Sequence, residues 1–178
     1  MEGFFDDFED GVIDPGWDAY DSGDPPHAMS ESGGDLRWSF DAGEVGFLGV
    51  RHPFEGTLDR VRVHATDIPS DPAGHSQLVL FVQGLDDPLY VVWMADGAQL
   101  RYGPTNLPLD QSAYVELRLE PGLATALTSP DGVTFSSSAT VDIAGPLDEL
   151  AVVIYGQTWT SGGADMGALG SVEACRAP

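Results

Sequence analysis

The chain has 178 residues, 42% of them hydrophobic, enough to build one domain over residues 1–178 around a core of its own. Its 29 acidic residues outnumber 7 basic ones, all arginine; the formal charge of −22 repels phosphate backbones and anionic headgroups, which excludes nucleic acid and acidic membranes as partners. A solvated acidic surface accounts for that charge most simply, and coordination of cations by part of it is the sharper alternative.

No run approaches the ~20 apolar residues that span a bilayer, which excludes membrane insertion through a helix, and no basic start with an apolar stretch marks a signal peptide. Cys175, the single cysteine, has no intrachain partner; it is either a small buried residue of a last strand or an exposed thiol in a tail. With 22 glycines and 13 prolines, apolar residues at i, i+3, i+4 and i+7 are almost absent, whereas short alternating segments recur between turn residues. The pattern predicts an all-β protein.

"FFDDFEDGVIDPGW" (residues 4–17) comes first and sets five acidic side chains among aromatics. It is either an acidic metal or catalytic site, or the first strand and corner of a sheet. In the second case Phe5 and Phe8 anchor it, and Asp14-Pro15-Gly16 makes the turn that delivers Trp17. "LDRVRVHATDI" (58–68) places Val61, Val63 and Ala65 on one face and Arg60, Arg62 and His64 on the other, the period-two signature of a half-buried antiparallel strand. "SQLVLFVQG" (76–84) is more uniformly apolar and reads as a central strand. "PLYVVWMADGAQLRYG" (88–103) predicts a hairpin with Asp96-Gly97 as its central turn residues. That turn pairs Ala95 with Ala98, Trp93 with Leu100 and Val91 with Tyr102 on a common apolar face.

"AYVELRLEPG" (113–122) turns Val115, Leu117 and Leu119 inward and Tyr114, Glu116, Arg118 and Glu120 outward. "LATALTSPDGVTF" (123–135) returns through a tight turn and ends in another at Pro130-Asp131-Gly132. "LDELAVVIYG" (147–156) supplies a further buried strand, and "GALGSVEAC" (167–175) a closing strand that pairs with the first. About ten to twelve strands leave long edges and an uncovered face unless they pack as two sheets. The expected architecture is a two-sheet antiparallel β-sandwich.

"DDFEDGVIDPGW" (Asp6 to Trp17), "SGGDLRW" (Ser32 to Trp38), "YVELRLEPG" followed by "SPDGVTF" (Ser129 to Phe135), and "GSVEA" in the last strand together resemble the concanavalin A-like (laminin-G-like) superfamily in order and spacing. The resemblance implies a jelly roll with a curved sheet. It also implies a function among carbohydrate-binding modules, lectins, non-catalytic domains of glycosidases and β-glucanases. Retaining glucanases need two carboxylates about 5 Å apart, which those relatives carry on one strand as Glu-x-Asp-x-x-Glu. This chain lacks the motif; its nearest pattern, Glu116 and Glu120, has Arg118 between, which holds both carboxylates ionised. No catalytic residue is assigned, and the expected branch is the non-catalytic one, an extracellular, cell-surface or periplasmic module. A β-glucanase-like hydrolase and a purely structural or adhesive calcium-stabilised domain are the alternatives.

Relatives of this fold hold a structural calcium ion, and carried over residue by residue its ligands here are Asp7, the Gly34 carbonyl and Asp165. Sugar binding on such sandwiches uses exposed rings that stack on pyranose faces beside polar groups. The candidates off the core face are Tyr90, Arg101, Tyr155 and Trp159, with Arg62 and His64 on a neighbouring polar face. Trp159 lies in the polar, glycine-rich "GQTWTSGG", where it either packs over a sheet edge or contacts a carbohydrate or cell-surface ligand.

Overall fold

The computed structural model describes residues 3–22, 27–43, 45–110, 113–159 and 164–176, among which there are fifteen strands and no helix. Every strand pair is antiparallel, and the strands form two sheets. The first runs β13 (Ser136–Asp142), β12 (Leu123–Ser129), β11 (Tyr114–Glu120), β6 (Leu58–Asp67), β15 (Asp165–Arg176), β4 (Leu36–Phe40) and β3 (His27–Glu31). β1 (Gly3–Asp6) pairs with the remaining length of β15, as expected of first and closing strands. The second runs β10 (Thr105–Leu109), β9 (Gly97–Tyr102), β8 (Leu89–Met94), β7 (Ser76–Gln83), β14 (Ala151–Thr158), β5 (Gly46–Pro53) and β2 (Asp18–Asp21).

The inner faces follow the period of two. Val61, Val63 and Ala65 of β6 and Leu36, Trp38 and Phe40 of β4 are buried against Leu78, Leu80, Trp93 and Ile154 of the facing sheet. The Trp38 indole N–H is satisfied by the Leu48 carbonyl at 2.7 Å, so its polar atom costs nothing in the core. Gly156 of β14 accepts the rings of Trp38 and Phe40 where any Cβ would strike them.

The opening run is a clip. The Asp6 carboxylate accepts the Trp17 indole N–H at 2.8 Å and the Phe8 amide at 3.0 Å, while Trp17 N donates to Asp14 O across the expected turn. Phe8 anchors it at 1% exposure, but Phe5 does not: it lies on the outer face at 64% exposure, and Phe4 instead stacks on His52 and meets Trp17 edge-on. The strand's alternation simply starts one residue earlier.

The hairpin departs from its predicted register by two residues. Ala95-Asp96 are the central residues and Gly97 follows them at a φ of 129°, so Trp93 pairs with Ala98, Val91 with Leu100 and Leu89 with Tyr102. A slip of two keeps every side chain on its predicted face, and Trp93 is core. Asp131 and Gly132 do form a turn: the Asp131 carboxylate accepts the Val133 and Thr134 amides, which hold it below the usual carboxylate range, and Gly132 takes a φ of 72°.

Candidate functional site

Register builds three rows across the outer face of the second sheet. Tyr20 lies beside Gly49, then Tyr155, Val79, Val92 and Gln99; on one side run Arg51, Val153, Phe81, Tyr90 and Arg101, and on the other Phe47, Gln157 and Gln77. Trp159 joins the third row's end. Alternation along β14 puts Tyr155, Gln157 and Trp159 on one face, and the Trp159 amide donates to the His75 carbonyl, which extends the ladder past the strand. The segment expected to be a loop therefore begins as strand.

These side chains line a depression of about 390 Å³, whose neighbouring lobe of about 240 Å³ shares Gln77, Arg101 and Trp159. Its rings cluster: Tyr20, Phe47 and Tyr155 have centroids 5.0 to 5.7 Å apart, and Tyr90 lies 4.8 Å from Phe81. Gly49 has no side chain to separate Tyr20 from Tyr155. On the floor, Gln77 is 4% exposed and donates its amide to the Gln157 carbonyl oxygen at 2.9 Å, while its own amide oxygen has no hydrogen-bond partner. A buried acceptor left open costs ~1–3 kcal/mol until a donor fills it. Burial, and the neighbouring Tyr90 and Tyr20, push the Tyr155 hydroxyl far above its ordinary value, so it stays neutral and able to donate. No Asp or Glu lines the main lobe among the described residues.

Four of the six expected ligand residues, Tyr90, Arg101, Tyr155 and Trp159, thus meet in one groove. Arg62 and His64 do not join them. They lie on β6 of the first sheet, whose outward face points away from the groove across the whole sandwich. There His64 stacks on Tyr114 with centroids 4.0 Å apart, and Arg62 pairs with Glu116. Glu116 is outward-facing but not solvent-facing: it is 0% exposed beneath Arg62, Arg118 and the Phe135 ring. Tyr20, Phe47, Gln77 and Gln157 also line the groove. Gln77 and Gln157 stand near the ends of otherwise largely apolar strands, a local signal that could have found them; the rings of β2 and β5 carried none.

A larger depression, about 520 Å³, is lined mostly by aliphatic and small side chains such as Ile68, Met94, Ala95 and Ala98, and the one aromatic ring among its described lining residues, Trp93, is fully buried. Cys175 is buried in β15, its thiol accepting from Arg60 at 3.0 Å.

The three expected calcium ligands are not brought together. Asp165 lies at the opposite end of β15 from Val172, the partner of Asp6, roughly 20 Å away along the strand. Its carboxylate is already filled by the Ser70 and Asp71 amides, the Ser70 and Ser76 hydroxyls and its neighbour Met166 N. Asp7 is exposed, and the side chain beside Gly34 is that of Glu9. These residues do not fit the ion. Stripping divalent cations with EDTA is expected to leave Tm unchanged in a thermal melt; a fall would place calcium on a different ligand set.

No family model matches the sequence, and no curated protein matches it. Solved structures match the whole fold. LamAcat of Zobellia galactanivorans superposes with a TM-score of 0.69 at 12% identity, over 97% of this chain and 96% of its own. An immunostimulatory antigen and pseudo beta-1,3-glucanase of Mycobacterium tuberculosis gives 0.67 at 12%, over 98% of each chain. The beta-glucanase of Bacillus licheniformis gives 0.65 at 10%, over 99% of each. The likeness is one of fold: a two-sheet antiparallel jelly-roll β-sandwich.

Proposed function

We propose that the protein is a non-catalytic carbohydrate-binding module that holds a glycan chain in the groove of the second sheet. The observation that carries this reading is the composition of the groove's main lobe: rings for pyranose faces, amides and the neutral Tyr155 hydroxyl for sugar hydroxyls, and no carboxylate among its described lining residues. A retaining hydrolase would need two carboxylates about 5 Å apart at that place. The acids nearest in motif, Glu116 and Glu120, lie on β11 in the other sheet.

Affinity electrophoresis through gels containing glycans tests it. Retention by at least one polysaccharide is expected, with Trp159→Ala weakening it at least fivefold, as loss of a large anchoring ring does elsewhere. Retention that ignores Trp159→Ala and Tyr155→Ala would remove this groove as the site. Release of reducing sugar from β-glucan, abolished by Glu116→Gln, would replace the reading with a hydrolase.

A further inference from the structure

Arg101 is out of keeping with the rest of this acidic chain. Arg37, Arg51, Arg60, Arg62 and Arg118 each have a carboxylate oxygen within 4.0 Å. Arg101 has none among the described residues. Its Nε and Nη2 donate to the Gln99 amide oxygen at 3.2 and 3.0 Å, a neutral acceptor that orients the guanidinium without neutralising it. Nη1 has no partner among the described residues.

Position gives that charge a use. Arg101 lines both lobes of the groove, beside Tyr90 and above a floor that includes Val79 and Val92. An unneutralised guanidinium on an apolar, aromatic wall attracts an anion more strongly than one in open water. Among the described acids, Asp96 borders the smaller lobe and Asp87 lies beside Gly103, and neither forms an ion pair with Arg101. The remaining surface acids repel an anionic chain at long range, but that field decays over a Debye length of about 8 Å at physiological ionic strength, whereas a pair with Arg101 is a direct contact.

We propose that the groove selects an anionic glycan, with a sugar carboxylate or sulfate ester paired to the open edge of Arg101. This rests on the reading of the groove as a glycan site, and narrows it to a class of chain. The fork of donors on a guanidinium fits a planar carboxylate in two parallel bonds and a sulfate nearly as well.

Isothermal titration with matched oligosaccharides decides it: oligogalacturonate, a sulfated galactan oligomer, and neutral galactan and glucan oligomers of the same length. The expected result is at least a tenfold preference for one anionic oligomer over its neutral counterpart, abolished in Arg101→Gln; which oligomer wins identifies the carboxylate or the sulfate. Because Arg101 has no ion pair among the described residues, the variant is expected to keep the parent Tm, so a lost preference is not a lost fold. Neutral chains binding as well as anionic ones, or a preference that survives Arg101→Gln, would overturn the inference and leave the groove reading intact. Binding of none of the four, together with no retention in the glycan gels, would take down both.

Discussion

Replacing Glu116 by Gln is expected to destabilise the protein by about 3 kcal/mol, a drop in Tm on the order of 10 °C for a chain of 178 residues. Glu116 is fully buried and accepts from Arg62 Nε at 3.0 Å, from Arg62 Nη2, and from Arg118 Nε at 2.7 Å. Gln keeps the shape but points an N–H group at cationic donors and leaves Arg62 with only its looser pair to Glu173, at 3.7 Å. Breaking one partner of a buried pair costs far more than the pair contributes, because the other charge stays desolvated.

The same carboxyl sets an acid limit. Burial pushes Glu116 towards its neutral form, but the Arg62 and Arg118 hydrogen bonds and charges outweigh it and hold the group below the usual carboxylate range. The unfolded chain therefore takes up the proton at a higher pH than the folded one. The stabilisation is complete above the ordinary glutamate value of roughly 4.3 and is lost as pH falls through the lower folded value. Asp165 acts in the same direction: burial opposes its ionisation, and the Ser76 hydroxyl with the Asp71 and Ser70 amides overcomes it. Melts from pH 7 down to pH 3 are expected to show Tm falling more steeply in the parent than in Glu116→Gln. Equal Tm values and parallel acid limbs would show that the network does not stabilise the fold.

Gly156→Ala is expected to lower stability by about 2 kcal/mol, some 5 °C in Tm, and to weaken glycan retention at the same time. A Cβ at 156 would lie 2.6 Å from Phe40 and 2.7 Å from Trp38, two core rings exposed by 2% and 1%. Neither ring has space to retreat, and Trp38 is tied to the Leu48 carbonyl, so the strain falls on β14. That strand carries Tyr155 and Gln157 on its other face, one residue to each side. A lowered Tm with retention untouched would show that the groove tolerates changes in the spacing of the sheets; an unchanged Tm would mean that the core yields there.

Much of this was legible residue by residue. Val61, Val63 and Ala65 against Arg60, Arg62 and His64 divide as the alternation predicts, the turns at Asp14–Trp17 and Asp131-Gly132 close as their residues demand, and Trp93 is core although its hairpin pairs two residues out of the predicted register. Glu116 was legible as outward and illegible as buried, since its cover, Phe135 over Arg62, arrives from beyond the next strand. Tyr20 and Phe47 went unseen because β2 lies at the sheet edge beside β5, and β5 reaches β14 only through pairings about a hundred residues apart in the chain.

Composition and the period of two are local properties, and they are sufficient for an all-β chain whose strands each have a core face and an outer face. They leave open which of two outer faces a strand contributes to, because alternation is identical in either sheet. Tertiary pairing made that choice: it sent Arg62 and His64 to one side of the sandwich and gathered Tyr90, Arg101, Tyr155 and Trp159 on the other. The groove exists only because β14 lies between β7 and β5, which no stretch of the chain read alone can state.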